Sequence, residues 1–249
     1  MSVQLEICVE SPAGVAAAIA GGADRIELCA ALDVGGLTPS TGLLAACREA
    51  AGDSGIPIFA MVRPRPGDFA YDAAEAALAR REAMALIDAG ADGLVFGACA
   101  GGAIDENTAI SWISAVRDHA GQPLPCTFHR AIDLADDLPA AAERVAAMGY
   151  DRILSSGGAI RAIDGVDTLA AMIARVGDRI TIMAGSGVSA ATVPALTAAG
   201  VRAFHGSASR PSGRLDDRVR DLGFAASPRR VTDTELVAEL REALSMTIL

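Results

Sequence analysis

Short β-branched and apolar runs alternate with alanine-rich helical runs from one end of this chain to the other, and that alternation is its strongest constraint on fold. Strand, helix, strand in succession builds parallel βαβ units, because two parallel neighbours need a crossover between them. A recurring phrase sets the register: Gly21-Gly22-Ala23-Asp24-Arg25-Ile26, Ala89-Gly90-Ala91-Asp92-Gly93-Leu94 and Met148-Gly149-Tyr150-Asp151-Arg152-Ile153. Each ends a helix at a glycine C-cap and turns at once into a strand. About eight strand–helix pairs follow by this count, with strands expected at Val3–Val9, Arg25–Leu28, Ile58–Val62, Gly93–Gly97, Leu124–His129, Arg152–Ser155, Arg179–Ala184 and Arg202–Ser207. The last helix is expected at Thr232–Met246. Eight units predict an α/β protein, a single (β/α)8 TIM barrel over residues 1–249; an open doubly wound sheet usually has fewer strands and a topological switch point. One stretch, 208–230, carries Pro211, Gly213, Pro228 and several arginines, and reads as an irregular loop or a lid before the final helix.

Alternation within the strands assigns faces. Leu5, Ile7 and Val9 share one parity, Glu6 and Cys8 the other. A carboxylate pressed against apolar helices would be costly without a partner, so Glu6 is expected inside the barrel and Cys8 with it. The same logic puts Glu27 and Cys29 inside, then Phe59, Met61 and Arg63, then Thr127 and His129, then His205 and Ser207. These polar residues fall near the C-terminal ends of their strands, where barrel enzymes carry their sites. The resulting constellation is Glu6, Cys8, Glu27, Cys29, Arg63, His129 and His205, with Arg65, Asp68, Arg130 and Asp133 in adjoining loops. Plainer roles stand beside it: an ion pair between Glu27 and Arg63, core histidines, and cysteines as buried filler.

Composition removes several mechanisms. All 21 basic residues are arginine, so Schiff-base, pyridoxal phosphate and nucleotide P-loop chemistry, each dependent on lysine, is excluded and no nucleotide cofactor is expected. A net charge of -10 opposes nonspecific nucleic-acid binding. Mean hydropathy is +0.35, yet no run reaches the roughly 18 apolar residues of a spanning helix, so no membrane partner is expected. The start, Met1-Ser2-Val3-Gln4-Leu5-Glu6, has no secretory pattern, and a cytoplasmic location is expected. Five scattered cysteines without CxxC spacing argue against a disulfide scaffold or zinc ribbon. Glycine-rich turns at Ser155-Ser156-Gly157-Gly158, Ala184-Gly185-Ser186-Gly187 and His205-Gly206-Ser207 offer backbone amides, and loops after strands seven and eight often hold phosphate in barrels.

Taken together, Leu5-Glu6-Ile7-Cys8-Val9, the run from Gly21 to Cys29, Gly35-Gly36-Leu37-Thr38-Pro39-Ser40, Met61-Val62-Arg63-Pro64-Arg65, Gly67-Asp68-Phe69 and Thr127-Phe128-His129-Arg130-Ala131 resemble the CutC family, known as copper homeostasis proteins. The resemblance extends over most of residues 1–210. It implies a (β/α)8 barrel, a cytoplasmic location, a homodimer or larger homo-oligomer, and copper handling associated with Cys8 and Cys29.

Two functions are then weighed. In the first, Cys8 and Cys29 bind copper(I): soft thiolates select that ion, and adjacent strands about 4.8 Å apart allow two inward sulfurs to converge. His129 or His205 would supply a third ligand. In the second, the chain is an enzyme acting on a small phosphorylated or carboxylated substrate by acid–base chemistry. Arg63 and Arg65 would clamp the anion, with Ser156, Gly157, Gly185, Gly187 and Ser207 as further anion contacts. Glu27, Arg63 and His129 would be the catalytic residues, His129 as acid or base with Glu27 or Glu6 as its partner.

Overall fold

The computed structural model describes residues 3–247 as a closed barrel of eight parallel strands. Met1, Ser2, Ile248 and Leu249, the ends of the expected 1–249 domain, lie outside the described residues. The barrel strands are β1 Gln4–Val9, β2 Arg25–Leu28, β3 Ile58–Met61, β4 Gly93–Phe96, β5 Cys126–Phe128, β6 Arg152–Ser155, β7 Thr181–Ala184 and β8 Ala203–Gly206. Each pairs with its sequence neighbours, and β8 closes on β1. The helices that follow are α1 Pro12–Ala20, α2 Thr41–Ala51, α3 Ala73–Asp88, α4 Glu106–Ala120, α5 Leu138–Met148, α6 Val166–Val176, α7 Val193–Ala198 and α8 Thr234–Met246. The expected β5 is shortened at both ends. Pro123 and Pro125 lack the N–H a ladder needs, and His129 instead caps the 3-10 turn Arg130–Leu134.

The recurring phrase has a structural reason beyond its glycine cap. Asp24 Oδ2 accepts the Leu5 amide at 2.7 Å while its own amide donates to the Leu5 carbonyl at 2.9 Å. Asp92 does the same with Ile58, at 2.9 and 3.0 Å, and Asp151 with Cys126, at 2.8 and 3.0 Å. Each aspartate thus clasps the start of the preceding strand to the start of its own, at the N-terminal face of the barrel. The fourth pair has Arg202 at this position, and it donates to the Thr197 and Val201 carbonyls instead.

Alternating parity divides the apolar side chains into two populations. Leu5, Ile7, Val9, Ile26, Leu28, Cys126, Phe128 and Phe204 belong to the large layer between strands and helices. Inside the barrel, Cys29, Phe59, Met61 and Val95 form one small cluster, and Leu154, Met183 and Ala203 another. Phe59 can cross the interior because β4 begins with Gly93, where a Cβ would stand 2.6 Å from its ring.

Within 208–230, the ends are ordered as an antiparallel ribbon: Ser209–Pro211 pairs with Arg230–Thr232. A one-turn helix, Asp217–Asp221, lies between them. Arg210 pairs with Asp233 at 2.6 Å, which ties the ribbon to the cap of α8. No helix among the described residues is long and apolar enough to cross a membrane.

Candidate functional site

Strand register brings the inward polar residues of three adjacent strands side by side. Glu6 on β1 lies level with Arg25 on β2 and His205 on β8, and Cys8 lies level with Glu27. The Glu6 carboxylate accepts Arg25 Nε on one oxygen and His205 Nδ1 at 2.7 Å on the other. Burial opposes its charge, but Arg25 and His205 outweigh that and hold the carboxyl at about 2. Arg25, two residues before Glu27 on the same strand, was not among the expected site residues. Its guanidinium also lies 4.7 Å above the Phe59 ring.

Glu27 is in the opposite condition. Burial, reinforced by the Glu6 charge against the pull of His205, pushes its carboxyl up to about 7. One oxygen receives the Cys29 thiol at 3.6 Å, and the buried Oε1 has no partner among the described residues. His205 Nε2 approaches Glu27 Oε2 at 3.7 Å. Although burial disfavours charge on His205, the acidic groups around it, Glu27 foremost, raise it well above an ordinary histidine. Cys8 Sγ, a Glu27 oxygen and a His205 ring nitrogen all lie within 4.8 Å of one another. Cys29 stands outside this trio. It is fully buried, and burial and the Glu27 charge keep its thiol protonated.

These groups open into a cavity of about 420 Å³ at the C-terminal mouth, which Cys8, Glu27, Arg63, His129 and His205 help to line. Arg130, Gly187 and Ser207 complete the expected residues on its wall. Arg63 donates to the carbonyls of Val34, Gly36 and Gly67 at 2.9, 3.1 and 2.8 Å, so it fastens two mouth loops together. The alternative of a Glu27–Arg63 ion pair therefore does not form. His129 is buried beside it because Gly97 leaves room: a Cβ there would lie 2.7 Å from Nδ1. Burial, with the nearby Arg63 charge, lowers His129 to about 3, so the ring is neutral.

Other expected residues are engaged elsewhere. Arg65 is held by Glu75 and by Asp68, at 2.8 Å, and lies away from the cavity wall. Asp133 accepts from Arg130, Ser155, Ser156 and Gly158, so the turn containing Ser156 and Gly157 closes on the protein's own carboxylate. Gly185 donates its amide to Ser155. Backbone strain gathers at this end of the barrel. Ala31, Ser186 and Ala208, which follow β2, β7 and β8, are the non-glycine residues with positive φ among those described.

Comparison with known proteins identifies a family and a shared fold. The family model described as "CutC family" matches residues 3–210. A CutC family protein of Caulobacter vibrioides is 43% identical over 246 residues, covering 97% of both chains. One from Sinorhizobium medicae is 43% identical over 247 residues, covering 97% of this chain and 96% of its own. Among solved structures, the CutC protein of Streptococcus agalactiae, to which copper homeostasis is attributed, superposes with a TM-score of 0.76 at 28% identity, covering 82% of this chain and 98% of that one. A 3-hexulose-6-phosphate synthase, TM-score 0.59 at 20% identity over 98% of this chain and 99% of its own, shares the fold.

Proposed function

The chain belongs to the CutC family, and from that premise we propose that it serves copper homeostasis by binding copper(I) at the C-terminal mouth of its barrel. The observation that carries this reading is the convergence of Cys8 Sγ, His205 and Glu27 within 4.8 Å. A soft thiolate selects copper(I) and imidazole suits it. Glu6 supports His205 from behind: it engages Nδ1 and leaves Nε2 facing the trio, the arrangement by which a carboxylate orients a metal-binding histidine. The ion takes the place of the proton held between His205 and its acidic neighbours, so binding releases protons and strengthens as pH rises. Cys29 is a supporting group, its thiol donating to Glu27.

Anaerobic titration of copper(I) against a competing chromophoric chelator tests the reading. One tight site per chain is expected, weakened at least ~tenfold in Cys8→Ser and in His205→Gln, since a hydroxyl or amide is a poor ligand for a soft ion. Cys29→Ser should bind within a few-fold of the parent and Cys126→Ser like the parent. Parental binding by all four variants overturns the reading. Five buried cysteines with no disulfide support a reducing, cytoplasmic location. The family resemblance supports a homo-oligomer, which light scattering on the purified protein measures.

A further inference from the structure

We infer that the same mouth holds a second ligand beside the metal: a small organic monocarboxylate, its two oxygens received by His129 Nε2–H and Arg63 Nε–H. His129 is 3% exposed and Arg63 5%, both line the cavity, and both present a buried nitrogen with no partner among the described residues. The protonation of each is fixed by its other contacts. His129 Nδ1 accepts the Ala131 amide at 3.2 Å, which places the proton of the neutral ring on Nε2. Three hydrogens on the terminal nitrogens of Arg63 go to Val34, Gly36 and Gly67, and the buried Nε–H has no partner among the described residues. Both side chains pack on Phe69, at 4.8 Å for the Arg63 guanidinium and 4.9 Å for the His129 ring. One aromatic side chain therefore neighbours both unmet donors, and buried donors in native proteins are met.

Charge and shape choose the ligand class. Arg25, Arg63 and Arg152 are buried against Glu6 and Glu27, so the buried cations outnumber the buried carboxylates and the interior favours an anion. Two donors match the two oxygens of a carboxylate. Leu32, Met61, Phe69, Leu154 and Val188 supply apolar wall for a short carbon body, within a volume ordinary for a metabolite site. Cys8, Glu27 and His205 line the same cavity, which puts a bound carboxylate and the metal trio in one chamber.

Copper-free protein keeps this test separate from the copper reading. Thermal unfolding and calorimetry with acetate, pyruvate, inorganic phosphate and sulfate at matched ionic strength measure binding in the parent and in His129→Asn, which retains an acceptor for the Ala131 amide. Acetate and pyruvate should protect the parent, move the ¹⁵N resonance of His129 Nε2, and bind at least ~tenfold more weakly to the variant, the loss of one charge-assisted hydrogen bond. Equal protection of parent and variant, phosphate or sulfate protecting as well as pyruvate, or no protection by either carboxylate would each overturn the inference.

Discussion

His129 makes the folded protein sensitive to mild acid in a way one substitution can isolate. Folding holds this histidine at about 3, against 6.5 for an ordinary one. Its folded-state value is depressed, so the unfolded chain binds the extra proton first. The stability His129 contributes is complete above pH 6.5 and is lost as pH falls toward its folded value. At pH 5 the unfolded histidine is about 1.5 pH units below its midpoint, which at about 1.4 kcal/mol per unit costs about 2 kcal/mol relative to pH 7.5. Any folded value below about 4 gives the same result at that pH, so the magnitude does not depend on the depth of the depression. Asparagine at 129 removes the titration while keeping a side-chain oxygen to cap the 3-10 turn Arg130–Leu134. Urea unfolding of parent and His129→Asn at pH 7.5 and pH 5 measures the difference. His205, raised rather than lowered, and the carboxylates titrate in both proteins and cancel. The parent should lose about 2 kcal/mol more than the variant between the two pH values. Curves that stay parallel within about 0.5 kcal/mol would refute the assignment of a neutral, buried His129.

Two further outcomes follow from the interior. Glu6→Gln leaves Arg25 buried without its counter-charge and should cost about 3 to 5 kcal/mol in urea unfolding, whereas pairing it with Arg25→Met should recover much of that loss. Asp151→Ala removes the acceptor for the Cys126 amide and should cost about 1 to 3 kcal/mol while leaving copper(I) affinity unchanged, as measured by unfolding and chelator competition.

Parity was enough to read which strand residues enter the barrel, because an unpaired carboxylate has no stable place between strands and helices. Glu6 and Glu27 followed from that rule directly. Arg25 shares the parity of Glu27 and is buried at the first position of its strand, but it was not singled out. The register, with Glu6 level with both Arg25 and His205, shows what it pairs with there. Linear sequence also does not say how a side chain's donors are spent. Arg63 and Arg65 look like a matched pair of clamps, yet Arg63 keeps its buried Nε unpartnered and Arg65 is engaged by Glu75, Asp68 and nearby carbonyls. The glycine turn after β6 has the composition of an anion loop, and Asp133, more than twenty residues earlier, supplies the anion internally. Of the two cysteines implied by the family resemblance, Cys8 belongs to the trio, and Cys29 lies outside it with its thiol on Glu27. The tail was legible as a break in the pattern, but the pairing of Ser209–Pro211 with Arg230–Thr232 spans too irregular a stretch for periodicity to detect.

The three aspartate clasps give this barrel a division of labour between its ends. Each joins strands two by two, β1 with β2, β3 with β4 and β5 with β6, on the face opposite the mouth. Such a chain is built of quarters: three carry their own fastening, and the last, β7 with β8, is closed by its neighbours and by α8 folding back on α1. The loops that set the mouth's chemistry leave from the other end of every strand. Descendants of this scaffold can therefore exchange ligands at one end while the fastenings at the other keep the barrel shut.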